Sequence, residues 1–223
     1  MNISYRLVII VAVFVTSLIT ANIIAVKVIT LGPFTLPAAI FVFPLSYIFG
    51  DILTEVYGYR TARKVIWLAF ACNLIFIFFA WVGQILPAAD FWEAQQAYER
   101  ILGFVPRIVG ASICGYLAGE FVNSYVLSRM KILTGGRWLW SRTIGSTIIG
   151  QGLDTVIFIT LAYIGTGSPV ATMILHHWLA KTTIEIICTP ATYAIVNSLK
   201  KVERIDYYDY KTSYNPFTIF EKR

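Results

Sequence analysis

Six apolar runs of membrane-spanning length divide the sequence, and they constrain its fold more than any other feature. A helix needs about 20 apolar residues to cross the hydrocarbon core of a bilayer. Charged residues make up only 13% of the chain, whereas soluble domains contain about 25%. We therefore predict an all-α integral membrane protein with six transmembrane helices. The predicted spans are 7–28, 34–57, 65–86, 108–127, 138–163 and 170–196.

Proline, glycine and polar residues mark the connections between these spans. Leu31-Gly32-Pro33 is predicted to be a short turn. Pro37 is then expected in the first turn of the second span, where proline is tolerated, and Pro44 further in, where it kinks the helix. Segment 87–107 is polar but aromatic-rich, which predicts a short interfacial helix between the third and fourth spans. Further turns are predicted at 134–136 and 165–169.

Basic residues predict the orientation of the chain. They cluster before the first span and after the second, fourth and sixth, which is one side of a six-span protein. Cytoplasmic loops are enriched in Lys and Arg, so both termini are predicted to be cytoplasmic. The net charge of +6 is thus an orientation signal, and no nucleic-acid partner is expected. Residues 1–199 are predicted to form the transport domain and 200–223 a polar cytoplasmic tail.

Polar side chains inside the spans carry the functional prediction. Lipid cannot solvate such groups, so their faces are expected to converge inside the bundle around a site for a small polar solute. On the sixth span, for example, Lys181 and Glu185 fall on one helix face. The candidate substrate-binding residues are Asn22, Asp51, Glu55, Tyr116, Glu120, Asn123, Gln151, Asp154, Lys181 and Glu185.

Structural roles compete with binding at several of these positions. Glu55 lies within about a turn of Arg60 and is an equally good candidate for an ion pair with it. Lys181 and Glu185, at i and i+4, could neutralise each other. The small residues spaced along segment 111–119 favour close helix packing over substrate contact.

Catalytic motifs are weak in this sequence. Segment 150–154 comes near the Gly-x-Gly-Asp pattern of intramembrane aspartyl proteases, but it has one residue too many before the acid. The adjacent His176 and His177 lack the further ligands of a metal site, because neighbours on a helix point in different directions. No phosphate-cradling loop occurs. The sequence therefore predicts a non-enzymatic protein without a metal or cofactor.

Three motifs carry a resemblance to a known family. They are FGDILTEVYGYRTARKVIW in the second and third spans, GEFVNSYVLSRMKI in the fourth, and GGRWLWSRTIGSTIIGQGLDT leading into the fifth. Together they closely resemble the bacterial queuosine precursor transporters, which are also classed as a vitamin-uptake family. The resemblance covers most of the chain, from residue 44 to residue 185.

The resemblance implies a multi-pass protein of the bacterial cytoplasmic (inner) membrane. Its implied substrates are 7-cyano-7-deazaguanine, 7-aminomethyl-7-deazaguanine or the base queuine, which serve tRNA modification. The family motifs correspond to positions Asp51, Glu55, Tyr57, Arg60, Glu120, Asn123, Gln151 and Asp154.

Two alternatives and three questions stay open from the sequence. One alternative is a substrate-capture subunit of an energy-coupling-factor importer, since Ala21 and Ala25 on the first helix would permit docking. The other is an intramembrane enzyme. The preferred base, the coupling ion and the oligomeric state are not fixed; a proton and a homo-oligomer are retained as candidates.

The substrate chemistry suggests a division of labour among the acids. A deazaguanine presents a ring N–H beside an exocyclic amine, which one carboxylate accepts as a bidentate pair. We hypothesise that Glu120 and Asp154, which have amides on their own helix faces, hold the base. Asp51 and Glu55 would share a proton, released inward, or latch the cytoplasmic gate.

The topology is directly testable. In a chain whose native cysteines are replaced, single cysteines at Thr61 and Gly135 should react only with reagents that enter the cytoplasm. Cysteines at Asp90 and Gly167 should react with impermeant reagents added outside. The opposite labelling at any two of these sites would overturn the six-span topology.

Overall fold

A computed structural model describes residues 4–24, 27–31, 34–102, 106–165, 170–210 and 212–218. Over these residues the chain forms seven α-helices and one small β-hairpin. The helices are α1 (Tyr5–Ile24), α2 (Phe43–Tyr57), α3 (Tyr59–Ile85), α4 (Gln95–Leu102), α5 (Pro106–Leu133), α6 (Leu139–Tyr163) and α7 (Val170–Glu203). Within this described part of the chain, four stretches are long and apolar enough to cross a membrane: Tyr5–Ile24, Ala38–Tyr57, Tyr59–Ile85 and Leu139–Ala162.

The hairpin corrects the predicted boundary between the first two spans. Strands β1 (Val28–Leu31) and β2 (Phe34–Pro37) pair antiparallel. β2 replaces the predicted first turn of the second span, and β1 begins at the last residue predicted for the first span. The physical reason is composition: β-branched and aromatic residues favour strands, and both segments are rich in them. A 3-10 helix, Ala38–Phe41, then leads into α2. Gly32 and Pro33, the centre of the predicted turn, lie outside the described residues.

The later start of α2 also corrects the roles of two prolines. Pro37 ends strand β2 and is not in a helix, whereas Pro44 lies in the first turn of α2 and does not kink its interior. The connection to α3 is a single residue, Gly58, with φ of 84°. That left-handed backbone conformation suits glycine, which has no Cβ to clash. Arg60 and Arg63 therefore lie within α3, although a loop was predicted there.

The remaining helices lie close to their predicted positions. α4 forms inside segment 87–107 and buries none of its residues. α5 encloses the span predicted at 108–127, and α6 begins one residue after the start predicted for 138–163. Gly135 and Gly136 both have positive φ in the predicted loop between them. α7 continues to Glu203, past the predicted start of the tail. Of the turn predicted at 165–169, residues 166–169 lie outside the described part of the chain.

Contacts bring the basic segments together at one end of the bundle, which we call the basic end. Arg6, just inside α1, pairs with Glu203 at the end of α7 at 3.3 Å. Glu55, near the end of α2, contacts basic residues of α5, α6 and α7. The opposite end carries the β-hairpin and is called the hairpin end.

The described part of the tail, 205–210 and 212–218, is packed onto the basic end. Arg63 donates to the backbone carbonyls of Ser213 and Asn215 at 2.8 and 2.7 Å. Asp209 is buried, and its Oδ2 accepts from the backbone N–H of Tyr59 at 2.9 Å and from the Ser128 hydroxyl at 2.7 Å. The tail thereby joins the α2–α3 corner to the end of α5.

Asp206 anchors the start of the tail electrostatically. Its Oδ1 lies 2.5 Å from the Lys131 ammonium and 3.0 Å from that of Lys200. Partial burial alone would raise the pKa of Asp206, but the hydrogen bonds and charges of the two lysines hold it below its ordinary value. The contribution of this anchor to stability is thus complete above the ordinary carboxyl pKa and is lost as pH falls through the lowered one.

Asp209 tests whether the tail is part of the fold. Asp209→Ala removes the acceptor of two hydrogen bonds, and bonds to a charged group contribute about 1.5–3 kcal/mol. We expect faster protease cleavage within 205–218 and a lower free energy of unfolding in detergent. Asp90→Ala, an exposed loop position, is the control. Unchanged cleavage in Asp209→Ala would show that the tail docks without this residue.

Candidate substrate site

A cavity of about 60 Å³ opens between α1, α2, α5, α6 and α7 toward the hairpin end. Its outer wall includes Asn22, Ser112 and His177. Asn22 donates to Asn73 Oδ1 at 2.6 Å and accepts from the Ser112 hydroxyl at 3.2 Å, so it joins three helices while lining the cavity. Polar side chains therefore border the entrance from the hairpin end.

The inner wall of this cavity is an ion pair. Lys181 of α7 donates to Asp154 Oδ2 of α6 at 2.7 Å. The same ammonium lies 4.1 Å from the centre of the Phe43 ring, at the start of α2. This result corrects the expectation that Lys181 and Glu185 neutralise each other: the partner of Lys181 is on the neighbouring helix.

Below the ion pair lies a layer of buried polar groups without hydrogen-bond partners in the described structure. This layer includes both carboxylate oxygens of Glu120, both of Glu185, and the amide oxygen and nitrogen of Gln151. The hydroxyls of Tyr47 and Tyr116 join them. Each of these side chains is at most 4% exposed. We call these five residues the central layer.

One-turn spacing on α5 and α7 connects the cavity with the central layer. On α5, Ser112, Tyr116 and Glu120 succeed one another at four-residue steps from the cavity inward. On α7, Glu185 lies one turn below Lys181. Residues four apart on a helix share a face, so the cavity and the central layer form one continuous polar column.

Asp51 and Asn123 lie at the far side of this column. The Asn123 amide donates to Asp51 Oδ1 at 2.7 Å, and both residues are fully buried. The other carboxylate oxygen of Asp51 and the amide oxygen of Asn123 have no partner among the described residues. Asp51 follows Tyr47 by one turn on α2, and Asn123 follows Glu120 by one turn on α5, which places both beside the central layer.

Glu55 is the one candidate residue that the structure sets apart. Its carboxylate accepts two hydrogen bonds from Arg142 of α6, and Lys200 of α7 lies 2.5 Å from Oε1. The Lys131 ammonium donates to its backbone carbonyl at 2.6 Å and lies 3.6 Å from Oε1. We call Glu55, Lys131, Arg142, Lys200 and Asp206 the ionic layer.

Two expectations about Glu55 are corrected by this layer. Its arginine partner is Arg142, although the sequence analysis considered Arg60. Asp51 and Glu55, which were expected to hold a proton together, are not hydrogen-bonded to each other in the described structure: Asn123 donates to Asp51, and Lys200 donates to Glu55. Three cations surround the Glu55 carboxylate and close the polar column at the basic end.

Tyr47 and Phe43 were missed as candidate residues, although the sequence contains a signal for both. They precede Asp51 by four and eight residues and therefore share its helix face. The partners of Glu55 had no such signal, because Arg142 is 87 positions away in sequence.

Close packing of α5 on α6 holds the column together. A Cβ at Gly119 would lie 2.8 Å from the Gly150 carbonyl oxygen, 2.7 Å from the Tyr47 hydroxyl and 2.6 Å from the Asp154 Cβ. A Cβ at Gly115 would lie 2.8 Å from the Asp154 carbonyl oxygen. The predicted packing role of this small-residue stripe is confirmed.

Comparisons with known proteins agree on one family. A family profile described as "Putative vitamin uptake transporter" matches residues 37–195. The "Probable queuosine precursor transporter" of Bacillus subtilis is 30% identical over 83% of this chain and 82% of its own length. The "Queuosine precursor transporter" of Escherichia coli is 29% identical over 62% of this chain and 59% of its own. No solved structure matches the chain with significance.

Gly119→Ala tests the close helix contact. Because the new methyl group would overlap backbone as well as side-chain atoms, α5 and α6 would have to separate, and overpacking of this kind costs about 1–3 kcal/mol. We expect a lower unfolding temperature in detergent. Gly110→Ala on the same helix is the matched control, since nothing lies within 4 Å of its added Cβ. Equal stability of the two variants would contradict the packing described here.

Proposed function

Since the chain belongs to the queuosine precursor transporter family, we propose that it imports a 7-deazaguanine precursor of queuosine across the bacterial inner membrane. The observation that carries this proposal is the central layer. Buried polar atoms in proteins are nearly always hydrogen-bonded, so a group of unpaired carboxylate, amide and hydroxyl atoms favours a ligand that supplies the missing partners.

The chemistry of a deazaguanine complements this layer. Its ring N–H and exocyclic amine donate side by side, and Glu120 offers two acceptor oxygens without competing partners in the described structure. Gln151 donates from its amide to the carbonyl oxygen of the base. The rings of Tyr47 and Tyr116 provide flat surfaces for the heterocycle, as aromatic side chains do for other bases.

Two closed layers flank this site along the polar column. The Lys181–Asp154 pair separates it from the cavity at the hairpin end, and the ionic layer around Glu55 separates it from the basic end. We propose that the two layers open in turn. The base enters past Lys181, is held in the central layer and leaves when the ionic layer parts.

The membrane arrangement is part of the proposal. Six long helices cross the bilayer, with the basic end and both termini in the cytoplasm, and α4 lies at the outer interface. α5 and α7 are less apolar than the other four because their polar residues face inward to the column. We keep residues 1–199 as the proposed transport domain and 200–223 as the proposed cytoplasmic tail, with α7 extending to Glu203 within it.

We propose a transporter that acts without a separate ATPase, and not an enzyme. Ala21, which would permit docking of a capture subunit, is buried against the cavity and is only 1% exposed. Ala25 lies outside the described residues. Proton coupling is tested by one arm of the experiment below, and the proposed transport does not depend on a homo-oligomer.

Uptake by the purified protein tests the function. Liposomes containing the chain alone should accumulate labelled 7-deazaguanine precursors, and imposing a proton gradient should alter the rate if protons drive transport. Failure of folded protein to bind or transport any precursor would overturn the proposal. Transport only after addition of ATPase subunits would instead assign the chain to the energy-coupling-factor class.

Glu120→Gln tests the proposed contact with the base. It replaces one acceptor oxygen with a donor that faces the donors of the base, and losing a charged hydrogen bond weakens affinity about ten- to a hundredfold. Equilibrium binding to purified protein measures the loss. Glu93→Gln makes the same change at an exposed loop position and should bind like wild type. Wild-type affinity in Glu120→Gln would remove this residue from the site.

A further inference from the structure

The environment of the Lys181 ammonium has the composition of a binding site for a cationic amine. The ammonium donates to a carboxylate oxygen, Asp154 Oδ2, at 2.7 Å, and lies 4.1 Å from the centre of an aromatic ring, that of Phe43. Carboxylates and aromatic faces are the two protein groups that bind organic ammonium ions most directly. In this conformation the protein's own lysine occupies that site.

The site is reachable from the cavity at the hairpin end. Lys181, Asp154 and Phe43 all line the cavity, together with Asn22 and Ser112 of the entrance. A ligand that enters from this end therefore meets the ammonium of Lys181 before it can reach the central layer.

A second partner for Lys181 lies one turn further in. Glu185 follows it by four residues on α7, is fully buried, and both of its carboxylate oxygens lack a hydrogen-bond partner within the described chain. Lysine and glutamate at this spacing can pair on one helix face. Lys181 thus has two carboxylates within reach, of which Asp154 is occupied and Glu185 is not.

Charge balance favours replacement of Lys181 by a ligand ammonium over simple breaking of the Lys181–Asp154 ion pair. Pulling Lys181 away from Asp154 into solvent would leave two buried carboxylates, Asp154 and Glu185, without a counter-ion, which is strongly unfavourable. If a ligand ammonium replaces Lys181 while Lys181 moves to Glu185, both carboxylates end with a cation. A neutral ligand cannot complete this exchange.

We propose that the Lys181 ammonium occupies, in the absence of substrate, the binding position of an ammonium group of the substrate. An incoming primary ammonium takes its place on Asp154 and Phe43, and Lys181 moves to Glu185. This inference rests on the proposed function and deepens it: among the precursors, the site selects the one with a primary ammonium, 7-aminomethyl-7-deazaguanine, over the neutral 7-cyano compound.

Equilibrium binding of these two ligands to the purified chain tests the exchange. They share the base and differ at one substituent, so their affinity ratio isolates the ammonium. We expect wild type to bind the aminomethyl compound about ten- to a hundredfold more tightly. Glu185→Gln and Asp154→Asn should each reduce the ratio to about one, the first by removing the second partner of Lys181 and the second by removing the site. Glu93→Gln should keep the wild-type ratio.

Lys181→Met adds a readout that does not depend on the other two variants. It exposes Asp154 and Phe43 to the ligand, so the aminomethyl compound should raise the unfolding temperature of this variant more than that of wild type. The cyano compound should stabilise both proteins equally. A larger effect of both ligands on Lys181→Met would instead assign Lys181 a purely steric role and overturn the exchange.

The failures of the two proposals are distinguishable. Binding of both ligands with equal affinity, or a preference that survives Glu185→Gln and Asp154→Asn, would overturn the exchange and leave the proposed transport of deazaguanines intact. Absence of binding for both ligands, with folded protein confirmed by its unfolding transition, would overturn the proposed function and the exchange together.

Discussion

The charge of Glu55 is the interaction on which the rest of the bundle depends. Its carboxylate and backbone carbonyl bind Arg142, Lys200 and Lys131, and the two lysines in turn bind Asp206. These contacts tie α2, α5, α6, α7 and the tail together at one end. Buried ion pairs are costly to assemble, but removing one member of an existing pair costs about 3–5 kcal/mol. Displacing any one of these elements would therefore leave the charges of the others unpaired.

The polar groups in the middle of the bundle, in contrast, are unpaired. Glu120, Gln151 and Glu185 are buried yet have no partners in the described structure, and each unsatisfied buried group costs about 1–3 kcal/mol. A chain that needed only stability would place apolar residues there, since lipid-embedded helices pack well without polar groups. The ionic layer and the close α5–α6 contact stabilise a core whose own centre is unfavourable without a ligand.

The sequence predicted what depends on local pattern and failed where distant segments meet. Apolar length located α3 and α6, and helix periodicity gathered most of the candidate residues onto inward faces. Hydrophobicity alone could not separate strands Val28–Leu31 and Phe34–Pro37 from the helices beside them. Likewise, no spacing rule connects Arg142 with Glu55 or chooses Asp154 over Glu185 as the partner of Lys181, because interhelical packing decides those pairs.

The two closing layers differ in the number of ionic contacts that hold them, and the difference is consistent with the proposed direction of transport. At the hairpin end the column is closed by one ion pair, Lys181–Asp154, and the Phe43 ring. At the basic end it is closed by the five charged groups of the ionic layer, with the tail packed beside them. A cationic ligand can replace Lys181 on Asp154 and so offset the free-energy cost of opening the first layer. In the ionic layer it has no such partner to replace. For the proposed transport, entry is thus the easier step, and the step that needs a driving force is the separation of the helices at the ionic layer.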